Sequence, residues 1–292
     1  MPAGSRATGI QATWKSGNDL AWRSPRAATD LWVQPTPQVD QASRQQRAGA
    51  FALVADEYER GRPGYPPEAI AWLLGEQPLD VLDLGAGTGK LTGALLAAGH
   101  RVVAVEPLAE MRAILAHRLP AARTLAGSAE ALPLQDASVD AVTVGSAFHW
   151  FDRAVALAEI KRVLRAPGIL GLLGNAFDTS PAWVARVRAI LGPPALQRPG
   201  HWPSIAELAR DFETVEERGF PHTQAIDRAR LRDLARSRSS VALMADAQQE
   251  LVLASLDRVW DEEPELKGKT EALLPWHARV RRCSGARAAE ER

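Results

Sequence analysis

The sequence has a single cysteine, no excess of positive charge and no long apolar run, and each of these absences excludes a class of structure or partner. Its single cysteine, Cys283, excludes an internal disulfide and favours a reducing compartment. Its 35 Lys and Arg residues match its 35 Asp and Glu residues, so no excess positive charge indicates nucleic acid or an anionic membrane as a partner. No apolar run approaches the roughly 20 residues that span a bilayer, and the N-terminal segment lacks the apolar centre of a signal peptide. We therefore expect a cytoplasmic protein with no nucleic-acid or membrane partner.

Metal-ligand patterns are also missing. His222 and His277 fall on predicted strands without the spacing of metal ligands, and His201 falls in a proline-rich loop. We predict no metal site and assign these histidines no role.

Composition and periodicity divide the chain into four segments. Residues 1–48 lack a sustained apolar period and are expected to be a disordered extension. Residues 49–176 alternate strand and helix patterns, which predicts an α/β core with a parallel sheet and right-handed crossovers. Residues 177–283 are predicted to form a helical cap and the final strands of the sheet, and residues 284–292 are predicted to form a flexible tail. Ligands of such sheets bind beyond the carboxyl ends of the strands.

A glycine-rich turn, "VLDLGAGTGKLTGALL", follows the first predicted strand of this core. A P-loop is excluded because positions 84 and 91, where it needs Gly and Ser or Thr, both hold leucine. The dinucleotide fingerprint needs a glycine five positions after Gly85, where Lys90 stands; the third glycine, Gly89, comes one place early. The turn instead suits close backbone approach to a small nucleoside, with Asp83 available to a cationic group or its water shell.

A second acidic residue supports a nucleoside ligand. Glu106 ends the next predicted strand, 21 residues after Gly85 (106 − 85), where a carboxylate can accept hydrogen bonds from both ribose hydroxyls. Together, the turn and Glu106 predict an adenosyl ligand.

Seven sequence blocks, in order, resemble the class I S-adenosylmethionine-dependent methyltransferases, and most closely the small-molecule, trans-aconitate-like (methyltransferase type 11) group. The resemblance covers about residues 51–282, through "VADEYERGRPGYP", "LDLGAGTGKLT", "VVAVEP", "GSAEALPLQDASVDAVTVGSAFHWFD", "EIKRVLRAPGILGLL", the late "SRS" and "LPWHARVRR". It implies a Rossmann-like fold with a mostly parallel seven-stranded sheet, flanking helices, an antiparallel last strand and a helical cap. It also implies S-adenosylmethionine as the cofactor and methyl transfer to a small-molecule oxygen, nitrogen or carbon nucleophile, with carboxylates and hydroxyls as plausible acceptors.

The resemblance also implies roles for individual residues. The cofactor would be bound by Tyr58, Asp83, Gly85, Ala86, Gly87, Glu106, Ser128, Ala129 and Ser146. Ser128 departs from the Asp often found at its position, so the bond to the adenine amino group would be weaker or come from Glu130 or the backbone. Arg62 to Tyr65 would form a lid over the methionine end.

The acceptor side carries the remaining candidates. His149 could accept a proton from an acceptor hydroxyl, or it could only shape the pocket, and Trp150 would wall the site. Arg236 and Arg238 could anchor an acceptor carboxylate, with a solvated helix end or a structural ion pair as the alternative. The arginines near the C-terminus, including Arg281, are expected on the outward face of an edge strand.

Three functions stay open at this point. A small-molecule methyltransferase explains every block and the balanced charge. An RNA or protein methyltransferase would share the cofactor site but needs a basic or extended acceptor surface. A non-catalytic cofactor-binding module of the same fold is the third. The sequence is compatible with a monomer or a homodimer.

Overall fold

A mixed sheet organises the part of the chain that the structure, a computed structural model, describes, which is residues 54–192 and 202–287. Its strands have the order β3-β2-β1-β4-β5-β7-β6. They are β1 (Asp80–Leu84), β2 (Arg101–Val105), β3 (Arg123–Leu125), β4 (Val139–Gly145), β5 (Leu164–Phe177), β6 (Phe212–Ile226) and β7 (Ala272–Ala286). Strands β1 to β5 are parallel, and β7 runs antiparallel to both β5 and β6. The predicted mostly parallel seven-stranded sheet with an antiparallel last strand is confirmed.

Helices cover both faces of the sheet. Those described are α1 (Ala55–Gly61), α2 (Pro67–Leu74), α3 (Lys90–Ala97), α4 (Ala109–Arg118), α5 (Arg153–Val163), α6 (Ala182–Leu191), α7 (Ile205–Leu208), α8 (Arg228–Arg236), α9 (Ser239–Ala242) and α10 (Asp246–Glu262). Helix α5 packs with Leu82 and Val142 on one face, whereas α2 and α3 pack with Val81 and Ala141 on the other. Alternate residues of β1 and β4 therefore enter opposite cores, as expected for strands covered on both faces.

The turn from β1 to α3 depends on glycine. Gly85, Gly87 and Gly89 have φ values of +68°, +57° and +91°, a region that side-chain-bearing residues rarely adopt. A Cβ atom on Gly85 would also lie 2.7 Å from the Cβ atom of Ala147. The chain can therefore turn tightly from β1 into α3. Such a turn allows a ligand to approach its backbone closely.

A second apolar core lies in the C-terminal half. Helices α6, α8 and α10 share it with the first residues of β7, and its large members include Trp183, Trp260 and Trp276. Helix α1 packs closely on α8. At Gly61 the two backbones are so close that an added Cβ atom would lie 2.7 Å from Leu234 Cα. The N-terminal helix of the core is thus braced by the cap.

One boundary and one strand position differ from the sequence predictions. Strand β7 continues to Ala286, so the tail predicted to begin at 284 starts inside the strand, and residues 288–292 lie outside the described residues. The predicted extension, 1–48, also lies outside them. The expectation of an edge strand for Arg281 is wrong, because β7 lies between β5 and β6, and Arg281 is buried there against Glu217.

No helix that the structure describes is long and apolar enough to cross a membrane.

Candidate functional site

A cleft opens at the carboxyl ends of β1 and β4 and encloses about 540 Å³, counting space open to solvent. The lining residues are Tyr58, Arg62, Pro63, Tyr65, Asp83, Gly85, Ala86, Lys90, Leu91, Gly145, Ser146, Asn175 and Trp276. Five of the predicted cofactor residues, namely Tyr58, Asp83, Gly85, Ala86 and Ser146, are therefore brought together in one cleft.

Asp83 presents an unpartnered carboxylate oxygen at the base of this cleft. Its side chain is fully buried, and its Oδ2 atom accepts a hydrogen bond from Thr92 Oγ1 at 2.6 Å. Its Oδ1 atom is buried without a hydrogen-bond partner among the residues that the structure describes. Burial raises the pKa of Asp83 to about 7, although hydrogen bonds from the side chain and the backbone of Thr92 oppose the shift. A buried acceptor that the protein leaves unpaired indicates a ligand that donates there, and an ammonium group would also stabilise the ionised form.

Glu106, at the end of β2, joins the glycine turn to the next βα connection. Its Oε2 atom accepts from Gly87 N and its Oε1 atom accepts from Leu108 N, both at 2.9 Å. Burial raises the pKa of Glu106, and these two hydrogen bonds oppose the rise. A carboxylate has about four lone-pair positions, so two remain for hydroxyl donors. Although Gly87 and Glu106 do not line the cleft, this contact fixes them beside it.

The segment Arg62 to Tyr65, between α1 and α2, closes one side of the cleft and is fastened to the cap. The guanidinium of Arg62 donates from Nε to Ser237 Oγ and from Nη2 to Ser237 O, both at 2.9 Å. Asn175 Nδ2, at the end of β5, donates to Gly64 O at 3.0 Å. Two separate parts of the chain, at Ser237 and at Asn175, thus hold the predicted lid in place.

Aromatic and cationic groups line the same side. The Arg62 guanidinium carbon lies 5.2 Å from the centre of the Tyr58 ring. Burial lowers the pKa of Arg62 and raises that of Tyr58. Lys90, at the start of α3, forms an ion pair with Glu59 at 2.8 Å. The cleft therefore combines a buried carboxylate at its base with positive charge along its rim.

Ser146 directly follows the last residue of β4. Its φ of +57° is unusual for a residue other than glycine, and its hydroxyl lies 3.3 Å from that of Tyr65. Uncommon backbone conformations of this kind are frequent at functional sites. The pair places two hydroxyl groups in the cleft opposite Asp83.

The residues predicted beside the adenine follow β3 at the same end of the sheet. Ser128 forms an isolated bridge with Ala131, and Ala129 is buried. Glu130 Oε1, the alternative partner for an adenine amino group, accepts a hydrogen bond from Asp152 N at 2.8 Å. None of the three lines the cleft, and their contact with adenine stays a prediction.

His149 and Trp150 form a short 3-10 turn, Phe148–Trp150, after β4, but neither lines the cleft. Their ring centres lie 4.6 Å apart, and Trp150 packs against the apolar core around α5. This packing matches a shaping role more closely than a proton-transfer role. The catalytic assignment of His149 stays a prediction.

Arg236 and Arg238 are not brought to the cleft. Helix α8 ends at Arg236, whose Nη2 atom pairs with Glu250 Oε1 of α10 at 3.5 Å. Arg238 is buried, and its Nη2 atom donates to Gly192 O at 3.2 Å. These contacts match the structural alternative, because both side chains bind groups of the cap, Glu250 and the carbonyl of Gly192.

Two cleft residues were missed because they come from distant parts of the chain. Trp276, in β7, stacks on Phe177 with ring centres 4.4 Å apart and donates from Nε1 to Gln224 Oε1 at 3.1 Å. Asn175 Oδ1 lies 2.9 Å from Nε2 of His222, a residue assigned no role from the sequence. No local motif marks them, since they meet only when β7 pairs with β5.

Within the described ranges, no group of His, Cys, Asp or Glu side chains could hold a metal ion.

Comparison with known proteins agrees with this geometry. Residues 82–172 match the family described as "Methyltransferase domain". An uncharacterized methyltransferase of Mycobacterium tuberculosis is 41% identical over 240 residues, which are 80% of this chain and 95% of the relative. A methyltransferase-like protein of Schizosaccharomyces pombe is 35% identical over 233 residues, which are 77% and 91% of the two chains.

The fold has a match among solved structures. A candidate type II methyltransferase from Anaeromyxobacter dehalogenans superposes with a TM-score of 0.51 at 23% identity, covering 77% of this chain and 97% of that one. The sheet order, the glycine turn and the extent of the sequence match together show that the chain belongs to the class I S-adenosylmethionine-dependent methyltransferases.

Proposed function

We propose that the protein transfers a methyl group from S-adenosylmethionine to a small-molecule acceptor that binds in the cleft. The observation that carries this proposal is the arrangement of Asp83 and Glu106. Asp83 offers a buried carboxylate oxygen that has no partner among the described residues, and Glu106 offers free lone pairs beside the glycine turn. An aminoacyl nucleoside carries donors that suit both.

The residues present fit this cofactor. Asp83 would accept from the methionine ammonium, and Glu106 would accept from the ribose hydroxyls. The positive charge of Lys90 and the first N–H groups of α3 suit the methionine carboxylate. Gly85 and Gly87 keep side chains out of the space in which the backbone approaches the ligand. When bound, the cofactor supplies a methyl group already activated by its positively charged sulfur.

The protein's own task is therefore alignment and the exclusion of water. The lid from Arg62 to Tyr65 covers the cleft, and the hydroxyls of Tyr65 and Ser146 offer hydrogen bonds to an acceptor beside the transferred group. A general base is needed for a hydroxyl acceptor, whereas a carboxylate acceptor is already ionised at neutral pH. His149 is the candidate base for the first case.

The enclosure of the site and the balanced charge of the chain favour a small acceptor over RNA or protein. The cleft is bounded by the lid on one side and by Asn175 and Trp276 on the other. The balanced charge of the chain gives no general attraction to a polyanion. Cytoplasmic localisation and a monomeric or dimeric state stay predictions from the sequence.

A transfer assay with methyl-labelled S-adenosylmethionine tests the proposal. Pools of small carboxylic acids, phenols and amines, total RNA, and unfolded protein would be offered separately to the wild type and to Asp83→Asn. We expect label in a small-molecule fraction with the wild type and far less with the variant. Label that enters only RNA or protein would contradict the small-molecule assignment.

A further inference from the structure

A second groove lies against the lid and shares Arg62, Pro63 and Lys90 with the cleft. It encloses about 450 Å³, counting space open to solvent. Arg60 and Arg230 add two further cations to its wall. The two spaces are therefore adjacent, with Arg62 and Pro63 between them.

The cations of this groove differ in how their charge is offset. Arg60 pairs with Asp233 at 2.7 Å, and Lys90 pairs with Glu59. In contrast, Arg62 and Arg230 have no carboxylate partner among the described residues. Their guanidinium groups donate only to neutral oxygens, those of Ser237 and the carbonyl of Ala225. Two positive charges thus line the groove without a counter-ion from the described part of the chain.

Arg62 also pays a desolvation cost that an anion would reduce. Its burial lowers its pKa, since burial disfavours the charged form. A guanidinium binds a carboxylate or phosphate through parallel N–H donors, and such charge-assisted bonds are about twice as strong as neutral ones. The Thr223 hydroxyl adds a neutral donor, because Thr223 lines the groove from the edge strand β6. This combination of cations and a hydroxyl suits an oxygen-rich anion.

We propose that the groove binds an oxyanion, the carboxylate or phosphate group of the methyl acceptor, with Arg62 and Arg230 as its ligands. The assignment of the anion to the acceptor rests on the proposed function. An acceptor anchored in this way would extend past Arg62 and Pro63 into the cleft, where its nucleophile meets the transferred methyl group. The groove would thereby select acceptors that carry an anionic group at one end.

Titration calorimetry of citrate and of inorganic phosphate, each at constant ionic strength, tests this site. The variant is Arg230→Glu, which removes an exposed cation and places a carboxylate in the groove. The matched control is Arg258→Glu: Arg258 is also exposed and donates only to a neutral oxygen, Ser255 Oγ at 3.2 Å, but lies on α10 outside the groove. We expect at least one anion to bind, with affinity about tenfold weaker in Arg230→Glu and changed less than about twofold in the control.

The comparison of the two anions identifies the preferred group, since tighter phosphate binding indicates a phosphorylated acceptor and tighter citrate binding a carboxylic acid. If neither citrate nor phosphate binds at tens of millimolar, or if both variants lose the same anion affinity, the proposal is overturned. Binding of S-adenosylhomocysteine is measured on the same samples and should be unchanged by Arg230→Glu. If the wild type binds S-adenosylhomocysteine but neither anion, only the oxyanion site is refuted. If it fails to bind S-adenosylhomocysteine, the proposed function fails by itself.

Discussion

Replacement of Asp83 by asparagine should weaken S-adenosylhomocysteine binding and remove most of its pH dependence. In the free protein, Asp83 Oδ1 has no partner, and the ligand's ammonium would provide one. A hydrogen bond to a charged group contributes about 1.5–3 kcal/mol, which corresponds to roughly 10–150-fold in affinity. Asparagine preserves the shape of the side chain but removes its charge, so the loss should fall within that range.

The pH dependence follows from the pKa of Asp83, which burial raises to about 7. Only the ionised carboxylate attracts an ammonium group, and its fraction is about 0.1 at one pH unit below the pKa and about 0.75 at half a unit above it. Wild-type affinity should therefore rise roughly eightfold from about pH 6 to about pH 7.5.

Calorimetry in two buffers of different ionisation enthalpy measures both affinity and proton release. Because the ammonium favours ionised Asp83, binding below neutral pH should release protons in the wild type and not from this site in Asp83→Asn. The matched control is Asp56→Asn, at an exposed position on α1. Wild-type affinity that does not change across the pH window, or tight binding by Asp83→Asn, would refute the reasoning.

Two further predictions concern packing around the lid and the cap. Gly61→Ala should destabilise the protein by about 1–3 kcal/mol and weaken S-adenosylhomocysteine binding, because the added Cβ meets the backbone of α8. Gly64→Ala, with no atom within 4 Å of its added Cβ, should leave both values unchanged, and equal melting temperatures for the two variants would contradict the packing. Glu217→Gln should cost about 2 kcal/mol or more in urea unfolding, because it removes the carboxylate beside the buried guanidinium of Arg281. An unchanged unfolding midpoint would show that the pair contributes little.

The fold and the meeting of Asp83 with the glycine turn in one cleft were predictable because their signals are local. The turn requires glycines at fixed positions after β1, and Asp83 and Glu106 both stand at the ends of neighbouring strands. In a parallel sheet, such strand ends meet at one edge by geometry. The alternation of strands and helices in the sequence therefore predicts that Asp83 and Glu106 lie close together.

The other side of the cleft was less predictable because it is assembled from distant segments. Trp276 reaches the cleft only because β7 inserts between β5 and β6, an arrangement with no local signal. The same insertion buries Arg281, which an edge strand would have exposed. Arg236 carries the charge that an acceptor anchor needs, but the direction of a helix end depends on packing, and here it faces Glu250.

The central claim, that the cleft beside the glycine turn binds S-adenosylmethionine, is tested most directly by calorimetric titration of the cofactor. The wild type would be compared with Glu106→Gln and with a control, Glu110→Gln, at an exposed position in the first turn of α4. We expect binding in the micromolar range that Glu106→Gln weakens at least about tenfold, or about 1.4 kcal/mol, and that Glu110→Gln leaves unchanged. Failure of the wild type to bind, or equal affinities for wild type and Glu106→Gln, would contradict the assignment of the site.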